Sequence, residues 1–197
     1  MNKLVPLCFV LAACSSDSVS SDEQARRAYL GLDPSIGKSI TLGFDGFNTA
    51  NSANISPQMA AGSAAGTLTI TGQVDQGNSA NKGMRLMVGM VGYNDGPIAI
   101  DDKGHTISVT YATDTTTATQ PALDMQLKGI PTGTLDGTLM GTYHLTGDIK
   151  GDVMLDLTFS GTLMAGSGSA VLRVPGSTHV TGTAVSGSGT YTVDLTI

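Results

Sequence analysis

Residues 135–163 read LDGTLMGTYHLTGDIKGDVMLDLTFSGTL. Every odd position, from Leu135 through Tyr143, Leu157 and Phe159 to Leu163, is apolar or glycine. The even positions are Thr, Asp, Ser, His and Lys, with only Met140 and Met154 apolar. A period of two sustained over this length is the pattern of β-strands with one buried face. One strand of that length would be abnormal, so the segment is predicted to fold back on itself. A three-residue loop keeps the same parity facing the core, whereas a two-residue loop exchanges the faces. Ile149-Lys150-Gly151 suits the first case, because Gly151 is free to take a left-handed backbone. A hairpin centred on Lys150 sets Leu145 opposite Leu155, Gly141 opposite Phe159 and Leu139 opposite Gly161, so that bulky side chains cover bare glycines. On the polar face it sets His144 beside Asp156, and it brings Asp148 opposite Asp152.

The same alternation continues on either side. Leu68, Ile70, Gly72 and Val74 alternate, as do Ile107, Val109 and Tyr111, then Leu123, Met125 and Leu127. Met84 to Tyr93 is apolar on both parities, which predicts a strand covered on both faces, one of them by the N-terminal segment. Ile98 and Ile100 should meet Ile107 and His105 across the loop Asp101–Gly104. Strands at Ala170–Val174, Val180–Val185 and Tyr191–Ile197 complete the set. The fold expected is mainly β, an antiparallel sandwich or barrel of about nine to ten strands over residues 67–197, with a short N-terminal helical segment. Composition agrees: Glu23 is the only glutamate, the other acids are turn-favouring aspartates, and there are 26 glycines. A net charge of −6, scattered along the chain, argues against nucleic acid as a partner.

Ahead of the β region, Ser21 followed by Gln24 is a capping-box pattern opening a helix that should end near Gly31. Asp33-Pro34 offers a second helix start, with Ile36, Ile40, Phe44 and Phe47 at helical spacing, weakened by Gly37, Gly43 and Gly46. Asn48 to Gly66 is uncharged, rich in Ala, Ser and Asn, and reads as a long loop, so residues 22–66 form a helical segment and loop.

The first residues carry an address. Met1-Asn2-Lys3 is a positive start, and Leu4 to Ala13 is an apolar run too short to span a bilayer. It ends in Leu11-Ala12-Ala13-Cys14, which resembles the lipobox of bacterial lipoproteins. The resemblance implies a signal peptide at residues 1–13, a diacylglyceryl group on Cys14, cleavage before it and acylation of its amine. Ser15, in place of aspartate, implies sorting to the outer membrane of a Gram-negative cell. Residues 14–21 would then be an acylated cysteine and a serine-rich, mobile tether. Three acyl chains anchor firmly, since one alone binds only marginally. Cys8 would leave with the signal, so neither a disulfide nor thiol chemistry is expected.

Candidate chemistry is sparse. His144 beside Asp156 resembles half of a Ser-His-Asp arrangement, but no nucleophile elbow accompanies it, and a solvated cross-strand pair is the expectation. The histidines are not at zinc-ligand spacing. Asp148, Asp152 and Asp156, or Asp101 with Asp102, lack the pattern of a calcium loop and read as turn aspartates. Neither a metal nor another cofactor is expected. Met84, Met87, Met90, Met125, Met140, Met154 and Met164 would fill the core or line a pliable pocket. The function expected is therefore a non-catalytic structural or interaction module, held to the membrane through acylated Cys14 and contacting another envelope protein. A lipocalin-like carrier of a hydrophobic ligand is the alternative, and a small outer-membrane barrel the second alternative.

Overall fold

The computed structural model describes residues 18–187 and 189–197. Among them one α-helix, α1 (Asp22–Thr49), is followed by β1 (Asn54–Ala61), β2 (Ala65–Val74), β3 (Lys82–Asn94), β4 (Ile98–Ala99), β5 (Thr106–Ile107) and β6 (Val109–Ala112). Then come β7 (Ala122–Lys128), β8 (Thr134–Gly147), β9 (Gly151–Ala165), β10 (Val171–Arg173), β11 (His179–Ser186) and β12 (Gly189–Thr196). Ten of the strands form one antiparallel sheet in the order β1-β2-β3-β6-β8-β9-β11-β12, with β7 also between β3 and β8, and β10 beside β9. β6 and β7 lie end to end, separated by the excursion 113–121: Tyr111 pairs with Tyr93 and Leu145, and Leu123 with Leu86 and Leu139. The mainly β, antiparallel fold expected from the alternation is the fold observed.

The central hairpin forms with its turn two positions earlier than expected. Leu145 pairs with Gly151, Gly141 with Leu155 and Gly137 with Phe159, so the turn centres on Asp148 and not on Lys150. The shift is even, so parity survives and the odd side chains still face inward. Three contacts favour the observed turn. Ile149 tucks into the core, Asp148 Oδ2 accepts from Ser108 N at 2.8 Å, and Asp148 N donates to Ser108 O at 3.1 Å. Gly147 and Gly151 flank the turn with φ of +103° and +98°. A bulky residue still covers a bare glycine: a Cβ on Gly137 would stand 2.4 Å from the Phe159 ring. The predicted β4–β5 register is reproduced, with Ile98 opposite Ile107 and Ile100 N donating to His105 O.

β3 departs from its two-faced expectation. Met84, Leu86, Val88 and Met90 are buried, but Val91 is 73 % exposed. Gly92, at φ +56°, inserts an extra residue opposite Gly66, so both Met90 and Tyr93 can point inward. A bulge had mimicked burial on both parities.

The helix differs most from expectation. Ser21 Oγ accepts from Gln24 N at 3.2 Å, as the capping pattern predicts, and Gln24 Oε1 accepts from the N–H of Ser20, one residue before the cap, at 2.7 Å. However, α1 runs unbroken for 28 residues, through Gly31 and Pro34. Pro34 removes one donor and the glycines lower intrinsic helicity, but burial outweighs both. The helix touches β1, β2 and β3 on one side and β10 and β12 on the other, so the sheet curls around it and both edge strands meet it. Its glycines mark close approaches: a Cβ on Gly31 would lie 2.4 Å from the Tyr111 hydroxyl, and one on Gly43 2.8 Å from the Met84 sulfur. Asp33 does not cap a second helix. Its carboxylate takes a bidentate pair of bonds from Arg173 on β10, at 2.8 and 2.7 Å, and a third from Tyr29 at 3.0 Å.

Two loop expectations are also corrected. Asn48–Gly66 is not one loop, because β1 occupies 54–61 and β2 begins at Ala65. Pro57 sits in an irregularity between Ile55 and Gln58 on an edge strand, where a missing N–H is tolerated. Within the proposed tether, Val19 is buried in the core and Ser18 lies 3.8 Å from a Cβ built on Gly151, so residues 18–21 are held against the domain. The expected signal peptide, Cys14 and residues 15–17 lie outside the described residues.

Candidate functional site

The odd side chains of the hairpin are used for packing, so chemistry must come from the outward face, the loops and the ends. His144 projects outward from β8, and with the observed register its partner is Asp152, not Asp156. His144 Nδ1 lies 2.7 Å from Asp152 Oδ1, and its Nε2 lies 3.7 Å from Asp114 Oδ1 at the start of the 113–121 excursion. The hydrogen bond to Asp152 holds the imidazole pKa above its ordinary value, with Asp114 adding to the effect. Asp156 instead stands between Met140 and Thr183 in the register. His105 pairs with Asp101 at 2.6 Å and His179 with Asp194 at 2.8 Å. Each described histidine thus meets a carboxylate, and no hydroxyl is hydrogen-bonded to an imidazole among the described residues.

The aspartates expected in turns have separate tasks. Asp148 holds Ser108, Asp152 holds His144, and Asp101 receives the backbone N–H of Lys103 and His105. Among the described residues no group of three His, Cys, Asp or Glu side chains is placed to hold a metal ion. The methionines divide between two environments. Met84, Met90 and Met125 are buried in the core, whereas Met140, Met154 and Met164 lie exposed on the sheet's outer face. They do not gather into one pocket.

Two depressions stand out. An open groove of about 450 Å³ crosses β7, β8, β9 and β11, with Asp124, Gln126, Thr138, Ser160 and Thr181 among its walls. Thr158 and Thr181 bond to each other at 3.1 Å, and Asp136 accepts from Lys128 at 3.2 Å. This surface offers hydroxyls, an amide and carboxylates for hydrogen bonding.

The second depression involves a residue overlooked in the sequence. Lys82 stands two residues before Met84, on the parity that β3 turns inward, and is only 4 % exposed. A lysine on the apolar parity was the available signal. Its ammonium donates to Gly77 O at 2.5 Å and sits 4.3 Å from the centroid of the Phe47 ring. It lines a cleft of about 350 Å³ between the last turns of α1, Ile130 and the β9–β10 connection.

Comparison of the chain with protein-family models, curated proteins and solved structures finds no match.

Proposed function

We propose that this chain is a lipid-anchored protein of the Gram-negative outer membrane, whose β domain is a non-catalytic structural or interaction module. The observation that carries this reading is Leu11-Ala12-Ala13-Cys14 at the end of a short apolar run, followed by Ser15. Two structural features support it against its alternatives. The space that a lipocalin-like carrier keeps for its ligand is occupied by α1 and by Tyr29, Tyr93, Tyr111 and Tyr143, all buried. The outward face bears Asp124, Asp136, Asp156 and many threonines, which suits water better than the hydrocarbon around a membrane barrel. Among the described residues no helix is long and apolar enough to cross a membrane.

The test is fractionation of a Gram-negative host expressing the wild type or Cys14→Ser. The wild type should sediment with outer membranes, and the variant should be soluble with an unchanged β circular-dichroism spectrum. Identical partitioning of the two would overturn the anchor. A variant that folds only in detergent would instead favour the membrane barrel.

A further inference from the structure

We propose that the cleft at the C-terminal end of α1 binds a small amphipathic anion, its acidic head held by Lys82 and its apolar tail laid against Phe44, Phe47, Ile130 and Val171. This goes beyond the anchoring reading and does not depend on it. The first observation is a buried ammonium that no carboxylate touches. Among the described residues no carboxylate lies within 4.0 Å of the Lys82 ammonium, although the side chain is almost wholly buried. An ammonium has three donors, and among the described residues one of them is used, in the bond to Gly77 O. The nearby Asp75 carboxylate feels the Lys82 charge, but it is itself engaged by Arg85 at 2.8 Å and by Gly83 N at 3.0 Å, so an anion in direct contact with the ammonium would further offset the cost of burying it.

The second observation is the shape and lining of the space beside that charge. The cleft has about 350 Å³, within the range of about 300–1,000 Å³ usual for small-ligand sites. A neighbouring hollow of about 300 Å³ shares Ile130, Ser169, Ala170 and Val171 with it and continues past Pro131, which gives a tail room beyond the head. Asp45 also lines the cleft and is exposed. It repels an anion at the rim, so the head must sit at Lys82. The chain is acidic overall, so long-range attraction does not bring the ligand in; recognition rests on this desolvated contact.

Lys82 also lies beside the last turns of α1, where a cation complements the partial negative charge of the carbonyl end. That role predicts a loss of stability on substitution but no ligand selectivity, and the two are separable.

The experiment is isothermal titration of the full-length Cys14→Ser chain, which has no acyl chain of its own to compete. The probes are dodecanoate below its micellar concentration and dodecanol. Dodecanoate should bind at least about tenfold more tightly, the lower end of what a charge-assisted contact contributes. Lys82→Met should erase that ratio while leaving weak binding of both probes. Ser169→Trp, at an exposed position shared by both hollows, should weaken both probes at least about tenfold with the circular-dichroism spectrum unchanged. If Lys82→Met does not fold, the wild-type ratio and Ser169→Trp decide alone. Equal binding of acid and alcohol, no binding of either, or a Lys82→Met chain that is less stable but keeps the ratio would each overturn the proposal.

Discussion

Replacing Asp33 by alanine should unfasten α1 from β10. The carboxylate and the Arg173 guanidinium are joined by two bonds of 2.8 and 2.7 Å, with side chains only 10 % and 14 % exposed. Removing the acid leaves the guanidinium with a single bond to Asp33 O at 3.1 Å and strips the buried Tyr29 hydroxyl of its acceptor. Breaking a buried pair from one side costs about 3–5 kcal/mol, because a charge stays buried without a partner. Alanine returns up to about 0.7 kcal/mol of helix propensity. The net loss should be about 3–4 kcal/mol, a large part of the roughly 5–15 kcal/mol that holds a domain folded. The assay is urea unfolding followed by far-ultraviolet circular dichroism, comparing midpoints at unchanged slope. The double variant Asp33→Ala/Arg173→Met removes both charges and should recover at least about half of the loss, the buried Tyr29 hydroxyl still lacking its acceptor. A single variant within about 1 kcal/mol of wild type, or a double variant no better than the single one, would show that the ion pair does not secure the helix.

Other outcomes follow from the same packing. Gly31→Ala should destabilise by about 1–3 kcal/mol despite its gain in helix propensity, because its methyl group would displace the Tyr111 hydroxyl, which donates to Ala28 O at 2.7 Å. A rise in thermal midpoint would contradict that contact. Asp95, 5 % exposed, accepts from Lys38, from Ser63 at 2.9 and 3.0 Å and from Tyr93, so Asp95→Ala should cost about 2–4 kcal/mol and speed hydrogen exchange at the β1–β2 turn. Burial pushes the Asp95 carboxyl pKa up, but these bonds outweigh it and hold it below the ordinary value. Its contribution is therefore present above about pH 4 and is lost as pH falls through the depressed value, a loss that Asp95→Ala should not show. His144 behaves oppositely: its pKa is raised by Asp152, so its contribution is full below about pH 6.5 and disappears as pH rises through the folded value. His144→Gln should flatten the stability profile above pH 6.5, and an imidazole titration at or below 6.5 by NMR would refute the pairing.

Much of this architecture was legible because alternation is a local signal. The inward set Leu135, Leu139, Tyr143, Leu155 and Phe159 could be read without knowing the register, since any even shift leaves it intact. The register itself was not legible. It depends on Asp148 reaching Ser108 and on Ile149 finding the core, and both are long-range contacts. The continuous helix was hidden for the same reason. Gly31, Pro34 and Gly43 look like breaks until Tyr111 and Met84 are seen pressing against the glycines. His144 was correctly placed on the polar face, but its partner moved with the register from Asp156 to Asp152. Asp33 looked like a cap because its partner, Arg173, lies far away in sequence. Lys82 is legible in the sequence as a charge on the buried parity of an otherwise apolar strand.

The most direct measurement is the mass of the N-terminal peptide of the chain purified from a Gram-negative membrane fraction. A lipid-anchored module predicts a peptide beginning at Cys14, with a diacylglyceryl group on its sulfur and an acyl chain on its amine. A mature chain that begins elsewhere, or a Cys14 with a free thiol, would contradict it.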